Sequence, residues 1–438
     1  MSKFFITISN IFSIRELRTR IFNTVGFLMI FRLGSFIVLP GVDATKLTGE
    51  VKGIFSLLDT FLGGAFSNAS VFGLGVMPYI SASIAVQLLT VAVPYFQKLQ
   101  KEGQSGRKKL NQITKILTIF IAIIQSLSYL TSAISDEVIV VSRSFFLSSS
   151  LFILPAGTMA CMWIGDKITD KGIGNGISML IMIGIISSLP GAFFEEFVLR
   201  GTRGLLIFII EILILFLIIV SVVMFTQAVR KIPLQYAKQM VSNNAYSGQR
   251  QYIPLKLNTA GVMPIIFAQV LMFLPALLTN LLASKSNAAS SIARIFSDFT
   301  TWQYNAVFCV LIVVFTYFYT AITVNPTQIA DDMKRSNSFI PGIKPGKFTA
   351  AFIDNVLSKI TLPGSFFLAA IAILPGLAHL LGLSRSFSRF YGGTSLLIMV
   401  GVVLDTLQQI ESYLLMHHYD YMMKSSSVKG RSQNIAVA

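Results

Sequence analysis

The chain has 438 residues, 54% of them apolar and 12% charged, with a formal net charge of +16 and a mean hydropathy of +0.71. A soluble domain keeps about 25% charged residues to hold its surface in water; half that fraction excludes a water-soluble globular protein and leaves one membrane domain with polar loops. Cys161 and Cys309 fall in apolar stretches, where a thiol packs as a small hydrophobe, and their spacing suggests neither a disulfide framework nor a metal site.

Residues 1–20 carry Lys3, Arg15, Glu16, Arg18 and Arg20 around a short apolar patch, without a small-residue cleavage site. This predicts an amphipathic helix on the cytoplasmic membrane surface rather than a cleaved signal. A hydrocarbon core about 30 Å thick takes roughly 20 apolar helical residues. Ten such windows follow, at 21–40, 75–97, 112–134, 145–165, 173–190, 204–229, 258–283, 304–324, 360–381 and 393–416. The fifth is short and the seventh contains Pro264 and Pro275. Short or broken helices at membrane depth need protein or water to satisfy their backbone, so both are expected to line a cavity.

Of the 35 Lys and Arg residues, 25 fall in the N-terminus, the C-tail and the loops on their side; nine fall in the alternate loops, and Arg32 lies within the first span. The positive-inside rule therefore puts both termini in the cytoplasm. Ten spans divide into two sets of five, and an odd number per set inverts the second relative to the first. The reading is an all-α membrane protein with an N-terminal half over 1–190, a C-terminal half over 191–424 and a cytoplasmic tail over 425–438. A functional site is expected near the midplane, between the halves.

Ionisable groups at membrane depth mark proton and ion pathways. Here they are Arg32, Glu211, Asp405 and Glu411, read as helix-anchoring or paired groups, with Glu211 leaning toward Arg203. His379, His417 and His418 lie near span ends without spaced partners. Catalysis has no constellation to work with, and the phosphate-binding pattern G-x-x-x-x-G-K-[ST] is missing, so the chain is not its own motor. The sequence offers instead two long basic loops on one face, 230–257 and 324–359, the second containing Pro326, Pro341, Gly342, Pro345 and Gly346. Loops beyond about 12–15 residues are usually functional or disordered, and the charge of these two suits an anionic or acidic partner. A secondary transporter is the competing reading, and it would need polar midplane groups around a solute.

Five ordered blocks resemble the SecY/Sec61 alpha family of protein-export channels. GLGVMPYISASIAVQLLTVAVP at 73–94, with KEGQSGRKK at 101–109, is similar to its second span; DKITDKGIGNGISMLI at 166–181 leads into its fifth. PLKLNTAGVMPIIFA at 254–268 resembles the seventh span, NPTQIADDMKRSNSFIPGIKPG at 325–346 the large cytoplasmic loop, and FYGGTSLLIMVGVVLDT at 390–406 the tenth span. The resemblance covers nearly the whole chain and includes polar loops, which chance likeness among apolar helices would not reproduce.

The resemblance implies a clamshell of ten transmembrane helices around an hourglass pore in the bacterial cytoplasmic membrane. The implied pore ring is Val76, Ile80, Ile177, Ile181, Ile266 and Ile398. Val76 and Ile80 are four apart, as are Ile177 and Ile181, so each pair shares a helix face. Branched aliphatic side chains suit a constriction that every kind of side chain must cross, because they offer no hydrogen bond or fixed charge and resist wetting. Residues 54–70, IFSLLDTFLGGAFSNAS, are implied to form a short re-entrant plug, with Phe55, Leu57, Leu58, Phe61 and Leu62 as its apolar side chains and Gly63 and Gly64 as a hinge.

A lateral gate between spans 2 and 7 is implied to involve Gln87, Thr90, Gln125 and Asn258; polar contacts between membrane helices average only about 0.6 kcal/mol, so such a gate opens readily. In the basic loops, Lys238, Arg250, Lys256, Lys334, Arg335, Lys344 and Lys347 are the implied contacts to a SecA motor and to ribosomal RNA phosphates. Lys344 stands where the family usually has Arg; it keeps the charge and loses the planar fork. The loop tip 242–251 is longer and less basic than the family pattern. The further partners implied are SecE-like and SecG-like subunits, SecDF, YidC, signal sequences, unfolded preproteins and membrane lipids. No cofactor or metal is implied.

Overall fold

The computed structural model describes residues 12, 14–43, 62–132, 134, 138–201, 204–236, 251–282 and 301–425, without the side chains at 101, 132, 273–282 and 417–425. The first helix, α1 (Arg15–Gly34), joins the polar turn around the Glu16–Arg20 pair to the first apolar window without a break. With no Pro between residues 15 and 34, the chain lacks the residue that would separate a surface helix from a span. The separate surface helix expected over 1–20 is therefore corrected for residues 15–20; the earlier residues lie outside the description, apart from Phe12 and Ile14.

α2 (Met77–Ala92) and α3 (Pro94–Lys101) divide the second window with a bend of 103°. Val93 between them is extended, at φ −113° and ψ 121°, the conformation that a following proline imposes. α4 (Gln104–Ser132) and α5 (Arg143–Lys171) are both 29 residues long. α6 (Gly176–Arg200) overturns the expectation of a short fifth span: it runs 25 residues, through Pro190. α7 (Leu205–Gln227) is apolar nearly all round and exposes Leu206, Leu213, Phe216, Leu217 and Met224, as a helix facing lipid does.

After α7 the chain leaves the helical layer. β1 (Val229–Tyr236) pairs antiparallel with β2 (Gln251–Lys256), Val229 opposite Lys256, and β3 (Ser338–Phe339) adds on the other edge, Gln235 opposite Phe339. The described parts of the two long loops thus meet in one three-stranded sheet, which the all-α reading did not foresee. α8 (Met263–Leu282) is unbroken, which corrects the expectation of a broken seventh span. Pro264 falls in its first turn, where a missing N–H costs nothing, and the helical backbone continues through Pro275.

α9 (Trp302–Thr323) leads into α10 (Pro326–Arg335), which Asn325 caps by accepting from the N–H groups of Thr327 and Gln328. α11 (Lys347–Leu380), α12 (Arg385–Ser388), a 3₁₀ turn at Arg389–Tyr391 and α13 (Gly393–Ser425) complete the chain. Among the described residues seven helices are long and apolar enough to cross a membrane, and α2 with α3 makes an eighth. α1 carries five charged residues, and α8 counts as a shorter apolar helix over Met263–Met272.

α6 packs against α7, α12 and α13, joining the earlier helices to the later ones. Arg200 at the end of α6 sits between Glu196 and Glu211 and donates to the carbonyl oxygen of Gly382 at 3.0 Å. Glu196 in turn accepts from the N–H of Ser384 at 2.8 Å. Near the other end of α6, the N–H of Gly174 donates to Oε1 of Gln409 at 2.8 Å. Glu211 thus pairs with Arg200; the Arg203 expected beside it lies outside the described residues.

Candidate functional site in the apolar centre

Four separate stretches supply the six ring candidates, and each stretch is the start of a helix. Val76 directly precedes α2 and its carbonyl oxygen accepts from the N–H of Ile80 at 3.1 Å. Ile177 and Ile181 occupy the first two turns of α6, which begins at Asn175 because that side chain accepts from the N–H groups of Ile177 and Ser178. This satisfies two of the N–H donors that every helix start leaves orphaned. Gly176 fits against α5 only because it lacks Cβ: a methyl there would overlap the carbonyl oxygen of Gly165. Ile266 falls in the first turn of α8 and Ile398 in the second turn of α13.

All six meet in one apolar cluster. Val76, Ile181 and Ile398 are buried, and Ile80, Ile177 and Ile266 are partly buried against them, together with Phe31, Phe72 and Val262. Helix ends leave backbone groups unpaired, and such ends are tolerated at membrane depth only inside protein or beside water. Helix starts are here gathered around aliphatic side chains, which themselves offer neither charge nor hydrogen bond.

Above this centre the described part of the predicted plug, Leu62 to Ser70, packs as an irregular turn. Leu62, Ala65, Phe66 and Ala69 form a cluster with Leu39, Leu74, Tyr129 and Leu154. Two side chains from flanking helices hold its backbone: Arg32 Nη1 donates to the Gly63 carbonyl oxygen at 2.7 Å, and the Tyr129 hydroxyl donates to that of Phe66 at 2.7 Å. Val38 bridges Ser70. Gly63 and Gly64 both have positive φ, 60° and 86°. Phe55, Leu57, Leu58 and Phe61 lie outside the described residues.

The gate candidates do not bond to one another across α2 and α8. Gln87 Nε2 donates to Ser83 at 3.3 Å, Thr90 donates to the Gln87 carbonyl oxygen at 2.6 Å, and Gln125 Nε2 reaches Ser81 at 3.5 Å. These bonds stay within α2 or join it to α4. Two buried amide oxygens, Oε1 of Gln87 and Oδ1 of Asn258, find no donor among the described residues.

The basic loops form one folded platform. Ile232, Leu234 and Leu255 of the sheet pack with Met333 of α10, Ile340, and Ile353 and Leu357 of α11. Lys256, Lys334, Arg335, Lys344 and Lys347 project from it, all exposed. Arg230 and Lys231 on β1 are also exposed; sequence reasoning passed over them because a loop has no register to show which residues face outward. Lys238 and Arg250 lie outside the described residues.

Sequence reasoning also missed Glu196, although its spacing of four from Arg200 was the available signal, and it missed that Arg32 and Tyr129 bind the 62–70 segment. Only the fold brings residues 31 and 63 apart in sequence to that backbone.

Comparison with known proteins places this architecture. The SecY family matches residues 70–407. The chain is 40% identical to a protein translocase subunit SecY of Mycobacterium bovis over 432 residues, covering 93% of this chain and 97% of that one. It is 39% identical to the corresponding subunit of Chlamydia muridarum over 455 residues, covering 97% and 99%. Among solved structures, a protein conducting channel superposes with a TM-score of 0.66 at 16% identity, over 94% of this chain and 95% of that one. A SecY described by its plug domain, said to stabilise the closed state, gives 0.64 at 16% identity over the same shares. Sec61 in a canine ribosome-channel complex gives 0.63 at 15%, again over 94% and 95%.

The architecture is that of a helical membrane protein, and the family it matches makes it a protein-translocation channel subunit rather than an enzyme. The chain belongs to the SecY family of protein translocase subunits.

Proposed function

We propose that the chain is a passive protein-conducting pore of the bacterial cytoplasmic membrane, with ten spans in two inverted halves and both termini cytoplasmic. It passes unfolded preproteins through a ring of Val76, Ile80, Ile177, Ile181, Ile266 and Ile398, and releases hydrophobic segments sideways between α2 and α8. Residues 54–70 close the outer funnel at rest. SecA or the ribosome supplies the energy from the cytoplasmic platform, and SecE-like and SecG-like subunits complete the complex.

One observation carries this reading: six aliphatic side chains from four distant helix starts pack into a single cluster. A narrow apolar constriction resists wetting and so seals against ions, yet it has nothing that would bind a passing chain. The sparse polar contact around Gln87, Thr90 and Asn258 fits a seam that parts for a hydrophobic signal, since each such bond is worth only about 0.6 kcal/mol. Arg200 and its two carboxylates tie α6 to α7, whereas no hydrogen bond between the gate candidates of α2 and Asn258 crosses the seam among the described residues. The exposed cations of the platform attract nucleic-acid phosphates without base readout and acidic protein surfaces through their field.

The test is a photo-activated cross-linker placed at Ile181 or Ile398 in membranes holding a secretory protein stalled in transit. Capture of the substrate from both positions is expected. Capture only from lipid-facing controls such as Phe216 would remove the ring from the pathway.

A further inference from the structure

Arg32 is a full positive charge inside the first apolar window, and one of its partners is a main-chain carbonyl of the segment read as the plug. We propose that Arg32 is the positioning residue that latches the plug shut and thereby sets how strong a signal sequence must be to open the channel. This rests on reading residues 54–70 as the plug.

A guanidinium does not lose its proton inside a protein, so at this depth it must be given acceptors. The Gly63 carbonyl oxygen is one, at 2.7 Å. Arg32 lies in the last turn of α1, where unpaired carbonyls and the helix dipole favour a cation, and its guanidinium stacks over Phe36 at 5.0 Å. The charge is therefore fixed in place before the plug arrives.

Gly63 is shaped for that acceptor role. Its φ is +60°, and a methyl there would overlap Ser187 Oγ and stand 2.7 Å from the Gly184 carbonyl oxygen and 2.8 Å from Arg32 Nη1. Only a bare backbone reaches this slot between α1 and α6. Because the bond goes to main chain, it is indifferent to the plug's side chains. The Tyr129 bond to Phe66 holds the same segment from α4, but a neutral donor makes the weaker bond of the two. When the plug leaves, Arg32 forfeits a charge-assisted hydrogen bond in a medium of low dielectric, which biases the segment to return. A signal sequence must overcome that bias.

The experiment uses the complete channel complex reconstituted in planar bilayers, paired with export in cells of a protein carrying a defective signal. Deletion of residues 54–70 serves as the reference for an unplugged channel. Arg32→Met, which keeps apolar length and loses the donor, is expected to raise resting ion leak about tenfold and to export the defective-signal protein. Arg32→Lys, which retains a charged donor, should recover most of the closure. Gly63→Ala, which displaces the acceptor, should leak like Arg32→Met, and the double variant should leak no more than either single one. Leak in the deletion with none in Arg32→Met, or additive leak in the double variant at equal protein level, would overturn the latch and leave the plug reading intact. A deletion that stays sealed would overturn both.

Discussion

Ile398 is the side chain at which the proposed seal is most directly tested. It is buried in the second turn of α13 among Val76, Ile181 and their aliphatic neighbours. Replacing it with asparagine puts an amide where no donor or acceptor is arranged to meet it, at about 1–3 kcal/mol on mutational scales. Water meeting that amide relieves the cost, so the wetted, open form gains. Ile398→Asn is expected to increase export of a protein with a defective signal several-fold; wild-type export levels in that assay would take Ile398 out of the ring. Leu213 on lipid-facing α7 is the contrasting site, and Leu213→Val should leave export unchanged.

At the scale of elements, Arg200 joins α6 to α7 and to the segment after α11. Glu196 and Glu211 are almost wholly buried, with Arg200 as their shared cation. Removing one partner from a buried ionic group typically costs about 3–5 kcal/mol, because the remaining charge stays desolvated, whereas replacing the whole group with apolar residues is close to neutral. Arg200→Met should therefore lower the midpoint of heat-induced aggregation of the detergent-solubilised complex markedly. Adding Glu196→Gln and Glu211→Gln should return much of the loss, and failure to recover would mean that Arg200 acts by packing alone.

The bend between α2 and α3 is legible in the same terms. Pro94 forces Val93 into extended backbone, and a reader of the sequence who sees one 23-residue window has the cause in view without the angle. α6 and α8 show the converse. The fifth apolar window ends at residue 190, yet α6 continues through Pro190, and Pro264, one of the two prolines expected to break the seventh span, sits where α8 begins.

For the whole molecule, the consequence of the sheet is that the described parts of the two basic loops are hydrogen-bonded into one unit. β1 from the first loop pairs with β3 from the second, which links the segments that follow α7 and precede α11. Lys344 lies in the turn before α11, its carbonyl oxygen accepting from Thr349 and its side chain exposed. Lys344→Glu reverses the charge without touching the core. It is expected to impair motor-driven export more than insertion of membrane proteins during synthesis, measured side by side at equal channel abundance. Equal loss in both would assign Lys344 to a shared surface.

The amino-acid sequence by itself determined the solvent, and it supplied an expected sidedness and a candidate collar. Hydropathy counts which residues prefer lipid, Lys and Arg in the loops carry the orientation, and the motif blocks single out the six aliphatic positions. What only the tertiary structure decided is how residues far apart in sequence pair: Arg32 with the Gly63 carbonyl oxygen, Tyr129 with that of Phe66, Arg200 with two glutamates, and β1 with β3. The reason is physical. Transfer preference is a property of each side chain and adds up along a window, whereas a hydrogen bond depends on distance and angle between atoms, and a main-chain carbonyl carries no mark in the sequence to show which donor will reach it.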